Sequence, residues 1–287
     1  MSFTQETNCL PLRNKLSDNA EGIRKALAFM PHADNEKIDR PREDTLLVDT
    51  PRNQKLDRKF ALQLIREAKK LPAVGARLKA ITQELLGRPY YINPLIGSEV
   101  EPEKLVATLD GFDCVTFLET VLALAWAKDV AHFVELLREI RYKNGEVSYK
   151  SRLHYSTDWM KANVRRGFFQ DITRGEDTLV KTKTLDFLKA FQPRTVNFRY
   201  FPKRKLGKVS HRLQDGDVIM FVSTRKGIDT FHVGMIFRED ERLVLRHSAR
   251  SKGGVVNQDL KEFFKANTMP GFIIARPRES APSLNNE

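Results

Sequence analysis

The sequence predicts an α+β fold, with helices through the first two thirds and a run of antiparallel strands after them. Three observations carry this. Between residues 56 and 191 apolar residues recur at three- and four-residue spacing. After Leu213 the texture changes to short β-rich runs, parted by Asp215-Gly216, residues 225–227, residues 239–241 and Gly253-Gly254. No glycine-rich phosphate loop joins a strand to a helix, so a nucleotide-binding βαβ unit has no support.

The elements follow in order. Residues 1–55 are polar, with Pro11, Pro31, Pro41 and Pro51, and are expected to form a weakly structured arm with one helix near 22–30. Residues 56–71 place Phe60, Leu64, Ala68 and Leu71 at helical spacing, and Pro72 stops them. A second helix spans 74–86, with Gly87 as its C-terminal cap. Pro89, Pro94, Gly97 and Pro102 make 88–102 a shaped loop. An apolar helix runs from Asp113-Cys114 to Lys128, and another, over 131–142, aligns Phe133, Leu136, Leu137 and Ile140. Short helices are expected at 156–165 and 184–191, and strands at 217–223, 231–238, 243–247 and 271–276. The domain plan is therefore an arm to residue 55, one main domain over 56–278 (helices 56–190, strands 213–277), and a tail over 279–287.

Composition excludes several classes. The 287 residues, 41% hydrophobic and 30% charged, allow one large globular domain or two modest ones. Cys9 and Cys114, the two cysteines, cannot build a disulfide framework or a thiolate zinc site of the usual spacing. The longest apolar run, 121–127, is far short of the roughly 18 residues of a membrane span. Lys and Arg outnumber Asp and Glu by 49 to 37, a net charge of +12 that suits anionic partners. The densest basic run holds Arg199, Lys203, Arg204, Lys205, Lys208 and Arg212. It has two readings, a solvated loop or a surface that steers an anionic ligand, with Phe198, Tyr200 and Phe201 placed to stack. No nucleic-acid motif accompanies it, so nucleic acid is not an expected partner. No signal-peptide pattern opens the chain.

Three residues carry the chemistry. Cys114 follows Asp113, an N-cap residue, and so occupies the first turn of its helix. There the helix dipole favours a thiolate, and free backbone N–H groups can hold an oxyanion. A lone cysteine is also a small buried hydrophobe, and position alone leaves both readings open. His232, in an alternating apolar strand, and His247, closing the next one, complete a thiol–imidazole–orienter set. Cys114 would attack, His232 would exchange the proton, and His247 would orient the imidazole, with Asp229 as a competing orienter. A Cys/His/His zinc site lacks the usual short ligand pairs.

These residues resemble the NlpC-type, papain-like cell-wall cysteine amidases, and within them the N-acetylmuramoyl-L-alanine amidases. The matching stretches are Leu86-Gly87-Arg88-Pro89-Tyr90 with Pro94-Leu95, Phe112 to Glu119, Ser151 to Tyr155 with Asp158-Trp159, and Asp215 to Ile219. His232-Val233-Gly234, His247-Ser248-Ala249 and Arg276-Pro277 complete them. Asp-Cys-Val-Thr stands where the wider group has Asp-Cys-Ser-Gly, which points away from generic endopeptidases. The resemblance implies a papain-like fold, Cys114 as nucleophile, His232 as base, His247 as third member and Tyr90 lining the nucleophile. It also implies cleavage of an amide in released muropeptides and a cell-envelope location, with a cytoplasmic place or another route of secretion as the alternatives; a monomer without cofactor or metal is expected. Arg152, His154, Tyr155, Asp158 and Trp159 suit a sugar or carboxylate pocket, and with Tyr90 and Asp113 they are the expected substrate contacts. The same stretch also reads as an ordinary amphipathic helix start. Rival functions are an endopeptidase cutting after D-glutamate, and an inactive carbohydrate- or nucleic-acid-binding module.

Overall fold

The computed structural model describes residues 48–49 and 55–284; Cys9 and the helix expected near 22–30 lie outside them. Strand β1 (Val48–Asp49) runs parallel to β2 (Tyr91–Ile92). Helices α1 (Arg58–Lys69) and α2 (Val74–Glu84) come between, close to their predicted bounds. Asp57 starts α1 by accepting the N–H groups of Lys59 and Phe60. Gly87 follows α2 at φ +79°, which costs a glycine little. Then come α3 (Cys114–Trp126), α4 (Val130–Arg141) and α5 (Ser156–Arg165). Helix α3 is apolar on all sides because it is buried from Thr116 to Trp126.

The remaining elements are β3 (Phe169–Asp171), β4 (Leu179–Leu185), β5 (Arg194–Pro202), the single turn α6 (Leu206–Val209), β6 (Asp217–Val222), β7 (Thr230–Glu239), β8 (Arg242–Ala249), β9 (Gly254–Asp259), α7 (Leu260–Ala266) and β10 (Gly271–Pro277). Among the described residues the main sheet has eight strands in the order β4-β5-β10-β6-β7-β8-β9, with β3 on β10. Every pairing in it is antiparallel. Strands β6 to β9 form a meander, and β10 returns through α7 to pair with β6. The molecule thus combines a helical layer with an antiparallel sheet.

Both faces of the central strands are covered, which is why they read as continuous apolar runs. Along β6 the alternation divides two cores. Val218, Met220 and Val222 join the helical core, while Ile219 and Phe221 join a smaller one with Leu260, Phe263 and Phe264 of α7.

Two expectations are corrected. The helix expected over 184–191 is absent, because Leu179–Leu185 is a strand paired with β5 along its length. It closes the sheet at one edge, and lysines at 181 and 183 give it the polarity of a strand open to solvent. The basic run, expected as a loop, spans the end of β5, α6 and two flanking 3-10 turns. Lys205 and Lys208 each reach Asp177 at 2.9 Å, and Lys203 donates to the Asn267 carbonyl at 2.7 Å. Phe198 and Phe201 are buried in the cores and are not free to stack.

Candidate active site

Helix α3 begins with a capping box. The Asp113 carboxylate accepts the Val115 N–H at 3.0 Å and the Thr116 N–H at 2.7 Å, and the Thr116 hydroxyl accepts the Asp113 N–H at 3.0 Å. The buried Asp113 carboxylate is taken up by this cap, so a substrate-contacting role has little of it left. The cap also occupies two of the helix-start N–H groups expected to hold an oxyanion.

Cys114 opens α3 and is 7% exposed. Burial pushes its thiol pKa up, and the Asp113 carboxylate adds to this. The N–H groups of Val233, Cys114 and Val115 offset only part of the rise. The lowered pKa expected from the helix start is therefore reversed. A helix terminus contributes at most about 2 kcal/mol, whereas full burial can shift a group by up to about 3–5 units at about 1.4 kcal/mol each.

The tertiary setting of the thiol comes from a fork in the sheet. The β7–β8 ladder ends at Met235↔Arg246. Beyond it the start of α3 contacts both strands. The Val233 N–H favours the charged form of the Cys114 thiol, and the Ser248 hydroxyl donates to the Phe112 carbonyl at 2.7 Å. Tyr90 is buried alongside, bridged to Phe112 and donating its N–H to the Gly253 carbonyl at 2.8 Å.

On the two strands the histidines meet: His232 Nε2 is 2.5 Å from His247 Nδ1. Both rings lie against Phe263 of α7, and His232 also stacks on Phe221. Their approach requires a glycine at 234, since a Cβ there would stand 3.0 Å from the Cβ of His247 and 2.7 Å from Leu245. Burial, opposed in part by Gln258 and assisted by Lys252, lowers the His247 pKa to about 3, and the buried Nε2 makes no hydrogen bond among the described residues. Asp229 is not engaged with these rings. Its carboxylate accepts the Thr157 N–H at 2.6 Å and the Thr230 N–H at 2.7 Å.

A cavity of ≈ 20 Å³ lies between α3, the start of α5 and the sheet. Val115, Leu118, Leu153, Trp159, Met220 and Val233 form most of its wall, with His154 and Ser156. Of the expected substrate contacts, His154 and Trp159 therefore line a cavity whose other walls adjoin Cys114 and His232 in sequence. His154 binds the Tyr149 carbonyl at 2.9 Å, and burial, then repulsion from Arg152, lowers its pKa to about 4. The others have protein partners. Arg152 faces Glu103 at 3.3 Å, the Tyr155 hydroxyl accepts the Leu188 N–H at 3.2 Å, and Asp158 pairs with Arg194.

Two residues that shape the site escaped the sequence reading. Glu119 accepts the Trp159 indole N–H at 3.2 Å and Nε of Arg141 at 2.6 Å, all three being buried. A glutamate inside an apolar helix was the available signal, since a buried charge requires a partner. Among the described residues, no cluster of His, Cys, Asp and Glu is arranged to hold a metal, and no helix is long and apolar enough to cross a membrane.

Comparison with known proteins gives a consistent relationship. A structure from Legionella pneumophila str. Philadelphia 1, of family DUF1460, is 22% identical with a TM-score of 0.68, over 78% of this chain and 95% of that one. An N-acetylmuramoyl-L-alanine amidase from Bacteroides uniformis is 26% identical with a TM-score of 0.59, over 77% of this chain and 99% of that one. A Bacteroides fragilis structure carrying a provisional xylanase name is 27% identical with a TM-score of 0.59, over 68% and 99%. No curated protein matches the chain. The family model AmiA-like, described as N-acetylmuramoyl-L-alanine amidase-like, matches residues 80–272, which include Cys114, His232, His247 and every wall of the cavity. This chain belongs to the AmiA-like, N-acetylmuramoyl-L-alanine amidase-like family.

Proposed function

We propose that this protein is a papain-like, NlpC-type cysteine amidase that cleaves peptidoglycan fragments between the muramoyl lactyl group and the first L-alanine. One catalytic domain over residues 56–278 would carry the activity. The observation that carries the reading is the fork: a helix that begins at a cysteine packs on two strands where they part, and those strands hold two histidines in contact. Membership of an amidase-like family supports the bond type.

The Cys114 thiol gives its proton to His232, and the sulfur attacks the lactyl carbonyl. His232 returns the proton to the alanine nitrogen as the C–N bond breaks. Water then hydrolyses the thioester, with His232 taking its proton, and the free thiol is restored. Because the resting thiol is protonated, deprotonation is coupled to attack. Most glycoside hydrolases work instead with two facing carboxyl groups about 5–9.5 Å apart. The buried carboxylates of Asp113, Glu119 and Asp229 are each held by bonds within the protein.

Mass spectrometry of muropeptides after incubation tests the reading. Free stem peptide and intact sugar are expected. A shortened muropeptide would assign the endopeptidase reaction instead, and an unchanged one would overturn hydrolysis.

A further inference from the structure

The end of the sheet at β4 carries an inference that is independent of the proposed reaction. Four large hydrophobic side chains are exposed among the described residues, and Leu179 (46% exposed) and Val180 (59%) are the adjacent pair. They open the edge strand, opposite Tyr200 and Arg199 of β5. Successive strand residues point to opposite faces, so the two side chains straddle the edge of the sheet instead of lining one groove. The outer edge of β4 is bridged to Gly227 at Leu185, and no strand pairs with it before that point among the described residues.

Cations surround this pair. Residues 174–181 and 199–208, which the β4–β5 pairing brings together, hold seven lysines and arginines against two acids, Glu176 and Asp177. Asp177 draws in Lys205 and Lys208 at 2.9 Å each, and Arg199 donates to the Thr178 hydroxyl at 3.1 Å. One carboxylate thus gathers two ammonium groups and neutralises one, which leaves positive charge beside the exposed apolar pair. Arg174 and Arg204 add to it from exposed positions.

This combination disfavours two kinds of occupant. A second copy pairing edge to edge would bring Lys181 and Lys183 of each chain together, and like charges repel. A soluble anion would meet the cations and leave Leu179 and Val180 in water. An anionic bilayer satisfies both features, because its headgroups face the cations while the apolar side chains enter the interface.

We propose that this edge docks the protein on an anionic lipid bilayer, which it meets at the surface without spanning it. His232 stands on β7, four strand spacings or roughly 19 Å across the sheet from β4, so the docked edge and the reacting groups are separate.

The test is sedimentation of the full chain with vesicles of phosphatidylglycerol and phosphatidylcholine in equal parts. Binding is expected to these and not to pure phosphatidylcholine. Raising salt from about 0.1 to about 1 M should weaken it, as the screening length falls from about 10 to about 3 Å. Arg174→Glu with Arg204→Glu should weaken binding by about tenfold or more. Leu179→Ser with Val180→Ser should weaken it several-fold on vesicles and leave binding to soluble polyphosphate unchanged. All four side chains are exposed, and a thermal transition like that of the wild type confirms that each variant folds. A wild type that ignores the acidic vesicles, or binds both kinds alike, would overturn the proposal. Unchanged vesicle binding in the glutamate variant would place the contact elsewhere and overturn it too. Unchanged vesicle binding in the serine variant would make the edge a site for soluble polyanions or acidic peptides instead of a bilayer.

Discussion

His232 and His247 stand with Nε2 and Nδ1 2.5 Å apart, at an angle of 74° between rings and with centroids separated by 4.8 Å. One proton serves this contact. His247 has its pKa lowered to about 3 and is neutral at ordinary pH. When His232 donates from Nε2, its Nδ1 is left with the lone pair that a base requires. The two residues are thus unequal. His232→Asn is expected to abolish turnover, whereas His247→Asn keeps a measurable rate because an amide oxygen still accepts the imidazole N–H. Initial rates on one muropeptide check this, and the reverse order would exchange the roles.

The thiol supplies a second prediction. Cys114→Ala should remove activity by several orders of magnitude while costing about 1 kcal/mol of stability, a larger cost than an exposed thiol would carry. Asp113→Asn should keep the cap, since asparagine caps helices as well as aspartate does. With the carboxylate charge gone, the thiol pKa should fall, and alkylation by iodoacetamide at pH 8 should quicken. An unchanged alkylation rate would show that Asp113 is not charged beside the sulfur.

Asp229 supplies a cap from outside its helix. Helix α5 has Tyr155 at its N-cap, which offers no side-chain bond, and Asp229 fills that place from the residue before β7. A neighbouring link runs from the Thr230 hydroxyl to the Ser156 hydroxyl at 2.6 Å. Asp229→Ala should destabilise the protein by about 2 kcal/mol in urea unfolding, because it leaves buried N–H groups unpaired, and Asp229→Asn should lose less. Wild-type stability in the alanine variant would mean that the Thr157 N–H finds another acceptor.

His154 ties stability to pH. Its pKa is lowered to about 4 in the folded protein against 6.5 for the free group. Below pH 6.5 the unfolded chain therefore binds a proton that the folded one does not, and stability falls as pH falls. Between pH 6.5 and 4 the wild type should lose up to about 1.4 kcal/mol per pH unit relative to His154→Gln. Thermal unfolding of the two proteins across that range should show their curves converging. A constant gap would mean that His154 titrates normally.

How much of this was legible in the sequence depended on how locally each feature is built. The start of α3 at Asp113-Cys114 was readable, because a capping box is completed within four residues. The central strands were readable because burial on both faces leaves unbroken apolar runs. Strand β4 was not, since its alternation of lysine and threonine carries little apolar signal and its partner strand lies beyond a turn. Helix α7 also went unread, although Asp259 caps it through the Glu262 N–H and Leu260, Phe263 and Phe264 follow at helical spacing. Histidines 232 and 247 could be paired in advance because a hairpin's length of chain separates them.

Only the tertiary structure decided what surrounds the thiol. The fork that receives α3, the transfer of Asp229 from imidazole orienter to helix cap, and the fixing of Trp159 by Glu119 and Arg141 all join residues distant in sequence. The direction of the Cys114 pKa belongs with them. The sequence by itself determined which helix begins at the cysteine, because a cap is a matter of neighbouring dihedrals and bonds. Desolvation is summed over every group that packs around the sulfur, and that sum exists only once the chain has folded.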